Sequence, residues 1–112
     1  MRGEVWTVRD DAYASKSRPA IVVQANDISS EFQSVVLVGM TTVPAPGVSV
    51  RVKVEPTERN GLKVTSYAMA EKPFTVKVER LGSRIGELAG SDLSSVSRAL
   101  ARALALTPED LT

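Results

Sequence analysis

The chain has 112 residues, 43% of them hydrophobic and 24% charged, so a single globular domain spanning 1–112 is expected rather than a disordered segment. It contains no cysteine and no histidine, which removes disulfide scaffolding, thiol catalysis, Cys/His zinc sites and any imidazole acid–base pair. A net charge of +1 gives no overall attraction to nucleic acid, so a site for a polyanion has to come from local placement of basic groups or from two chains lining one groove.

The start MRGEVW carries a lone arginine followed by an acid and has no apolar h-region, so it does not read as a signal peptide. No run approaches transmembrane length, and a cytoplasmic protein with no membrane partner is expected. Glu4 to Val8 and Ala20 to Val23 are apolar runs rich in Val, Ile and Trp, and read as two strands of an open hairpin around a polar loop. Pro19 lacks an N–H and has a fixed φ, which suits the first residue of the second strand and holds Arg18 extended just outside the ladder. The guanidinium is thereby delivered at a strand mouth.

Asn26 to Gln33 is polar and turn-prone. Ser34 to Thr42 is apolar on both parities and reads as a strand buried on both faces, with Gly39 as a place where backbone approaches backbone and Thr41 and Thr42 at its mouth. Pro44 to Gly47 forms a turn. Val48, Val50, Val52 and Val54 then alternate with Ser49, Arg51 and Lys53, which predicts a strand with one core face and one basic face. Pro56 to Gly61 is a turn in which Asn60-Gly61 supplies positive φ. Leu62 to Ala70 returns as strand. Glu71, Lys72 and Pro73 interrupt it, with Pro73 marking an edge or a bulge, before Phe74, Val76 and Val78 resume the alternation.

Arg84 to Leu88 reads as a short last strand. Gly90, with Ser91 or Asp92 as N-cap, opens a helix in which Leu93, Val96, Leu100 and Leu104 recur at helical spacing. Alanines 99, 101, 103 and 105 favour helix, and Thr107 with Pro108 stops it and caps a final stub of Glu109, Asp110 and Leu111. Roughly five to seven short strands with one closing helix and no β-α-β alternation indicate a mainly β protein built on a small, strongly bent antiparallel sheet.

Among the polar residues, Arg18 presents a permanently charged planar donor fork that matches phosphate. Lys16, Arg51 and Lys53 are candidates for phosphate contact or members of a solvated charged face. Trp6 reads as core or dimer interface rather than as a base-stacking platform, because the first strand of a strongly bent sheet is expected to be buried.

Arg2-Gly3-Glu4-Val5-Trp6, then Ser17-Arg18-Pro19-Ala20-Ile21-Val22-Val23-Gln24 and Asn26-Asp27, resemble the opening of the MazF/PemK toxins, sequence-selective endoribonucleases of bacterial toxin–antitoxin pairs. The resemblance continues through Val35 to Thr42 and Asn60 to Leu81 and ends in the C-terminal helix, so it covers nearly the whole chain. It implies an SH3-like barrel, the fold of these toxins and of the related gyrase-inhibitor toxins. It also implies metal-independent cleavage of single-stranded RNA, chiefly mRNA with rRNA or tRNA as further candidates, leaving a 2′,3′-cyclic phosphate and a 5′-hydroxyl. A homodimer and a cognate antitoxin whose disordered tail covers the groove are implied as partners, and no metal or other cofactor.

Residue by residue, Arg18 falls on the arginine of the toxins' Arg-Pro motif, implicated there in cleavage. Thr41 falls on the catalytic Thr or Ser that ends their third strand, with Thr42 as the one-residue alternative. Thr41 is favoured because neighbouring strand residues face opposite sides and only one can point at Arg18. Glu71 falls where some relatives carry an acid assigned to the RNA site; it acts as a base, fixes a guanidinium, or forms a structural ion pair with Lys72 or Arg18. Lys16, Ser17, Thr42 and Lys72 are the further RNA-binding candidates. Two departures touch the same groove: the loop Asp10 to Ser17 lacks the Gly-Ser-Glu of many relatives, leaving Asp10 or Asp11 as its acids, and Phe74 stands where a basic residue is common. A gyrase-binding toxin of the same fold and a plain SH3-like interaction module are the competing readings.

Overall fold

The computed structural model describes residues 1–9, 17–28 and 33–111. Among these residues six strands, β1 (Glu4–Val8), β2 (Arg18–Val22), β3 (Ser34–Thr41), β4 (Arg51–Val54), β5 (Ser66–Lys77) and β6 (Leu81–Glu87), precede one α-helix, α1 (Gly90–Ala103). They form one antiparallel sheet in the order β4-β5-β3-β2-β1-β6. The predicted barrel is thus a bent sheet with β4 and β6 as its edges. The turn after β4 bridges them, since the Glu87 N–H donates to the Arg59 carbonyl at 3.0 Å. No helix among the described residues is long and apolar enough to cross a membrane.

The bend has a local cause. Val38 pairs with Pro73 and Met40 with Ala68, so the single residue Gly39 on β3 faces Met69 to Lys72 on β5. The surplus residues bulge, and Pro73 sits at the end of the bulge where a missing N–H costs least. Glu71, Lys72 and Pro73 therefore bend one long strand rather than separate two, and β5 begins at Ser66, not at Leu62. β4 pairs only with Ser66 to Met69, so β5 runs on without it.

Apolar alternation on β3 feeds two cores. Val38 and Met40 join Val5, Ile21, Val54, Ala68, Leu88 and Val96, while Val35 and Leu37 join Val8, Ala20 and Val22 on the other face. The expectation of a strand buried on both sides is met by period two acting on an all-apolar run. Helix α1 covers the first cluster with Val96, which is fully buried, flanked by Leu93 and Leu100. Leu104, the last residue of the predicted stripe, is exposed, because the helix has ended by then. Arg2 ties the start of the chain to the helix, its Nη2 donating to Ser97 Oγ at 2.7 Å and its Nη1 to the Val23 carbonyl.

Several boundaries differ from those the sequence predicts. The valine alternation starts a strand only at Arg51; Val48 and its neighbours lie in turns, where the Arg51 N–H reaches the Val48 carbonyl at 3.2 Å. The N-cap of α1 is Ala89, with no side-chain cap, one position before Gly90 rather than at Ser91 or Asp92. The last strand begins at Leu81, three residues before Arg84, because it pairs with β1 as far as Val8. Of Phe74, Val76 and Val78 only Val76 packs against a core; Val78 lies in a 3₁₀ turn, Val78–Arg80, and both Phe74 and Val78 are exposed. Gly61 does adopt positive φ, +71°, while Asn60 does not.

Candidate functional site

A groove of about 920 Å³ opens beside the second core cluster, on the side of the sheet away from α1. β2 and β3 set its floor through their register. Ala20 lies opposite Gly39, and carrying that ladder two residues further brings Arg18, the first residue of β2, across from Thr41, the last of β3. The period of two places Arg18, Ala20, Gly39 and Thr41 on one face, and all four line the groove. Arg18 is exposed and belongs to the β1–β2 ladder opposite Val8, one residue further into the sheet than Pro19 alone suggests.

The walls are basic. Among the described residues, Arg9, Arg18, Arg51, Lys72, Lys77 and Arg80 line the groove against a single acidic lining residue, Glu79. A chain of net charge +1 thus concentrates positive charge in one concave place, where low-dielectric walls strengthen its pull on a polyanion. Arg9 and Arg80 meet because β6 folds back on β1: the Arg9 N–H donates to the Arg80 carbonyl at 3.1 Å, and Arg80 Nη1 reaches the Arg9 carbonyl at 3.4 Å. No local pattern marks either residue as part of a site, since they are brought together over seventy-one positions. Lys77 was likewise not anticipated in the groove, whereas Phe74, which alternation alone assigns to the core, lines it where the resemblance places it.

Glu71 lies in the β5 bulge behind Arg51 and does not itself line the groove. Arg51 Nε and Nη2 donate to Glu71 Oε2 at 2.9 and 2.7 Å, with side-chain exposures of 15% and 23%. The ion pair foreseen for Glu71 therefore exists, with a partner on β4 rather than Lys72 or Arg18. Arg51's hydrogen bonds hold the Glu71 carboxyl below its ordinary value against the opposing pull of burial. Thr41 Oγ1 accepts the Val43 N–H at 3.2 Å, a bond that does not use the hydroxyl's own hydrogen.

The remaining sequence candidates separate cleanly. Lys72 lines the groove. Ser17 and Thr42 are exposed next to Arg18 and Thr41 but do not line it. Lys53 points elsewhere and makes an exposed ion pair with Glu55 at 3.4 Å. Lys16, Asp10 and Asp11 lie outside the described residues. Trp6 is half-buried against the second core cluster, its Nε1 donating to Glu4 Oε1 at 3.0 Å, in keeping with a core residue.

A family model described as the PemK-like, MazF-like toxin of type II toxin–antitoxin systems matches residues 1–104. The chain belongs to that family. Among MazF/PemK relatives, a protein of Mycolicibacterium smegmatis named "Probable endoribonuclease MazF" is 35% identical over 100 residues, 88% of this chain and 91% of that protein. A mycobacterial endoribonuclease solved in complex with its cognate antitoxin superimposes with a TM-score of 0.79 at 26% identity, covering 96% of each chain. The Mycobacterium tuberculosis toxin MazF-mt6 shares the fold at a TM-score of 0.78 and 22% identity, covering 93% of this chain and 98% of that one.

Proposed function

We propose that this MazF/PemK-family toxin is a sequence-selective, metal-independent endoribonuclease that cleaves single-stranded RNA, mRNA in the first place, and so arrests translation and growth. The observation that carries this reading is the placement of Arg18 and Thr41 on one face of a groove lined, among the described residues, by six basic ones. Single strands suit the site because their unpaired bases can be splayed into such a groove.

In this mechanism the Arg18 guanidinium holds the non-bridging oxygens of the scissile phosphate and stabilises the charge that builds on them. The Thr41 hydroxyl orients the neighbouring ribose 2′-oxygen for in-line attack. The O2′–P bond forms as the P–O5′ bond breaks; the 2′-hydroxyl proton passes to solvent and the departing 5′-oxygen takes one back. The products are a 2′,3′-cyclic phosphate and a 5′-hydroxyl. Glu71 acts indirectly, fixing Arg51 so that this second guanidinium meets the RNA backbone from the opposite wall. Lys72 contacts phosphate inside the groove, Ser17 and Thr42 do so at its mouth, and Lys16 is a further residue for RNA contact. Two copies associate as a homodimer in the cytoplasm, and a cognate antitoxin, as named for the mycobacterial neighbour, restrains the toxin by laying a disordered tail across the groove.

The experiment is digestion of total RNA by the purified protein with chelator present, with the cut ends mapped and Arg18→Ala run beside it. Cuts at a recurrent short sequence with cyclic-phosphate ends, lost in the variant while its circular dichroism is unchanged, are the expected result. Parental cutting by Arg18→Ala, or cutting that stops with chelator, overturns the mechanism.

A further inference from the structure

Phe74 is a large apolar side chain in a place that burial does not explain. It is 37% exposed, while Val76, two residues further along β5, packs against the second core cluster. Its backbone is held firmly: the strand pairs it with Leu37, and Pro73 before it has a fixed φ. The ring leans along β3 toward Gly39, where its Cε1 comes within 3.4 Å of the space a β-carbon would occupy and Met69 Cε within 3.1 Å. The missing side chain at Gly39 is what lets the ring settle into the groove wall.

Around this ring the groove is cationic, with Arg18, Lys72 and Lys77 among its lining residues. A partner drawn there must be anionic, and to gain from an exposed flat ring it must offer a flat apolar surface of its own. A nucleotide strand offers both, phosphates for the cations and a base for the ring. We infer that Phe74 is a stacking platform for one unpaired base of the RNA whose phosphate Arg18 holds. The inference rests on the endoribonuclease reading for the identity of the strand. It adds a residue that selects for a splayed base and helps set which nucleotide enters the site.

The test measures binding of a short random-sequence 2′-O-methyl RNA, which cannot undergo 2′-attack, and of its abasic counterpart. Wild type is expected to prefer the base-bearing strand by about tenfold. Phe74→Leu, which keeps an apolar side chain but loses the aromatic face, should collapse that preference, and Phe74→Trp should widen it. An unchanged preference in Phe74→Leu overturns the inference, and so does an equal loss on both strands, which marks a residue that only shapes the groove. Because no cleavage is read, a wild type that cuts no RNA yet shows a Phe74-dependent preference sinks the nuclease reading and leaves the stacking platform standing.

Discussion

Both hydrogen bonds from Arg51 to Glu71 end on the same carboxylate oxygen, Oε2, while Oε1 is buried without a hydrogen-bond partner. The pair spans β4 and the β5 bulge, so it ties an edge strand to the most irregular part of the sheet. Its charge state has a direct consequence for acid stability. A carboxylate whose folded value lies below 4.5 contributes stability that is present above the unfolded value and lost as pH falls through the folded one. Glu71→Gln should be about 1 kcal/mol less stable than wild type near neutral pH. Urea titrations across pH should show that gap closing below the ordinary carboxylate range, and a constant gap at every pH would refute the assignment.

Thr41 joins a turn-capping bond to a hydroxyl in the groove lining. Thr41→Val loses the bond to the Val43 N–H and also the hydroxyl hydrogen, whereas Thr41→Ser keeps both. Single-turnover cleavage should fall roughly a hundredfold in the valine variant and little in the serine variant, as expected for a group that positions the attacking oxygen. Equal rates in all three proteins would leave Thr41 a turn residue.

Salt dependence reads the basic walls. Lys77 and Arg80 line the groove far in sequence from Arg18, and each that meets a phosphate releases a counterion. Lys77→Ala should weaken binding to a single-stranded RNA and reduce the slope of log K against log salt by about 0.7. Anisotropy titrations at several salt concentrations measure it, and an unaltered slope would place Lys77 off the RNA path.

The turn that bridges the sheet edges depends on Asn60. Its side chain is 1% exposed, accepts from the Thr57 and Leu62 N–H groups at 3.0 Å each, and donates to the Glu55 carbonyl at 2.9 Å. Asn60→Ala strands buried backbone groups and should cost about 2–3 kcal/mol in urea unfolding. Gly61→Ala should cost more, since φ is +71° and a β-carbon there would lie 1.9 Å from the Ile85 carbonyl oxygen. A tolerated alanine at either position would show that the bridge is dispensable.

One substitution should stabilise the protein. After α1, Ala105 takes φ +55°, with its N–H on the Arg102 carbonyl and the Leu106 N–H on the Ala101 carbonyl. This is the helix-ending pattern in which glycine avoids the strain of a β-carbon. Ala105→Gly should raise stability by about 0.5–1 kcal/mol, seen as a higher midpoint in thermal unfolding. A lower midpoint would contradict the left-handed conformation.

Most of what depends on neighbours in sequence was legible in advance, although the N-cap of α1, at Ala89 rather than Ser91 or Asp92, was not. Period two on β3, the Pro19 that delivers Arg18 to a strand mouth, an edge or bulge at Pro73, the positive φ of Gly61 and the helical spacing of Val96 all follow from residues a few positions apart. Parity along a strand, also a local property, puts Thr41 rather than Thr42 on the groove face that Arg18 shares. The errors cluster where a local pattern had no partner to complete it: Val48 to Val50 alternate as well as any strand, yet β5 extends no ladder to them.

The pairings between distant segments belonged to the tertiary structure alone. That Glu71 closes on Arg51, that Arg9 and Arg80 meet at one end of the groove, and that Phe74 turns out over Gly39 depend on register, on a bulge of several residues and on β6 returning to β1. Sequence specifies which residues face a common side of each strand. Only the strand pairing, a long-range balance of hydrogen bonds and burial, decides which of those sides face each other across a site.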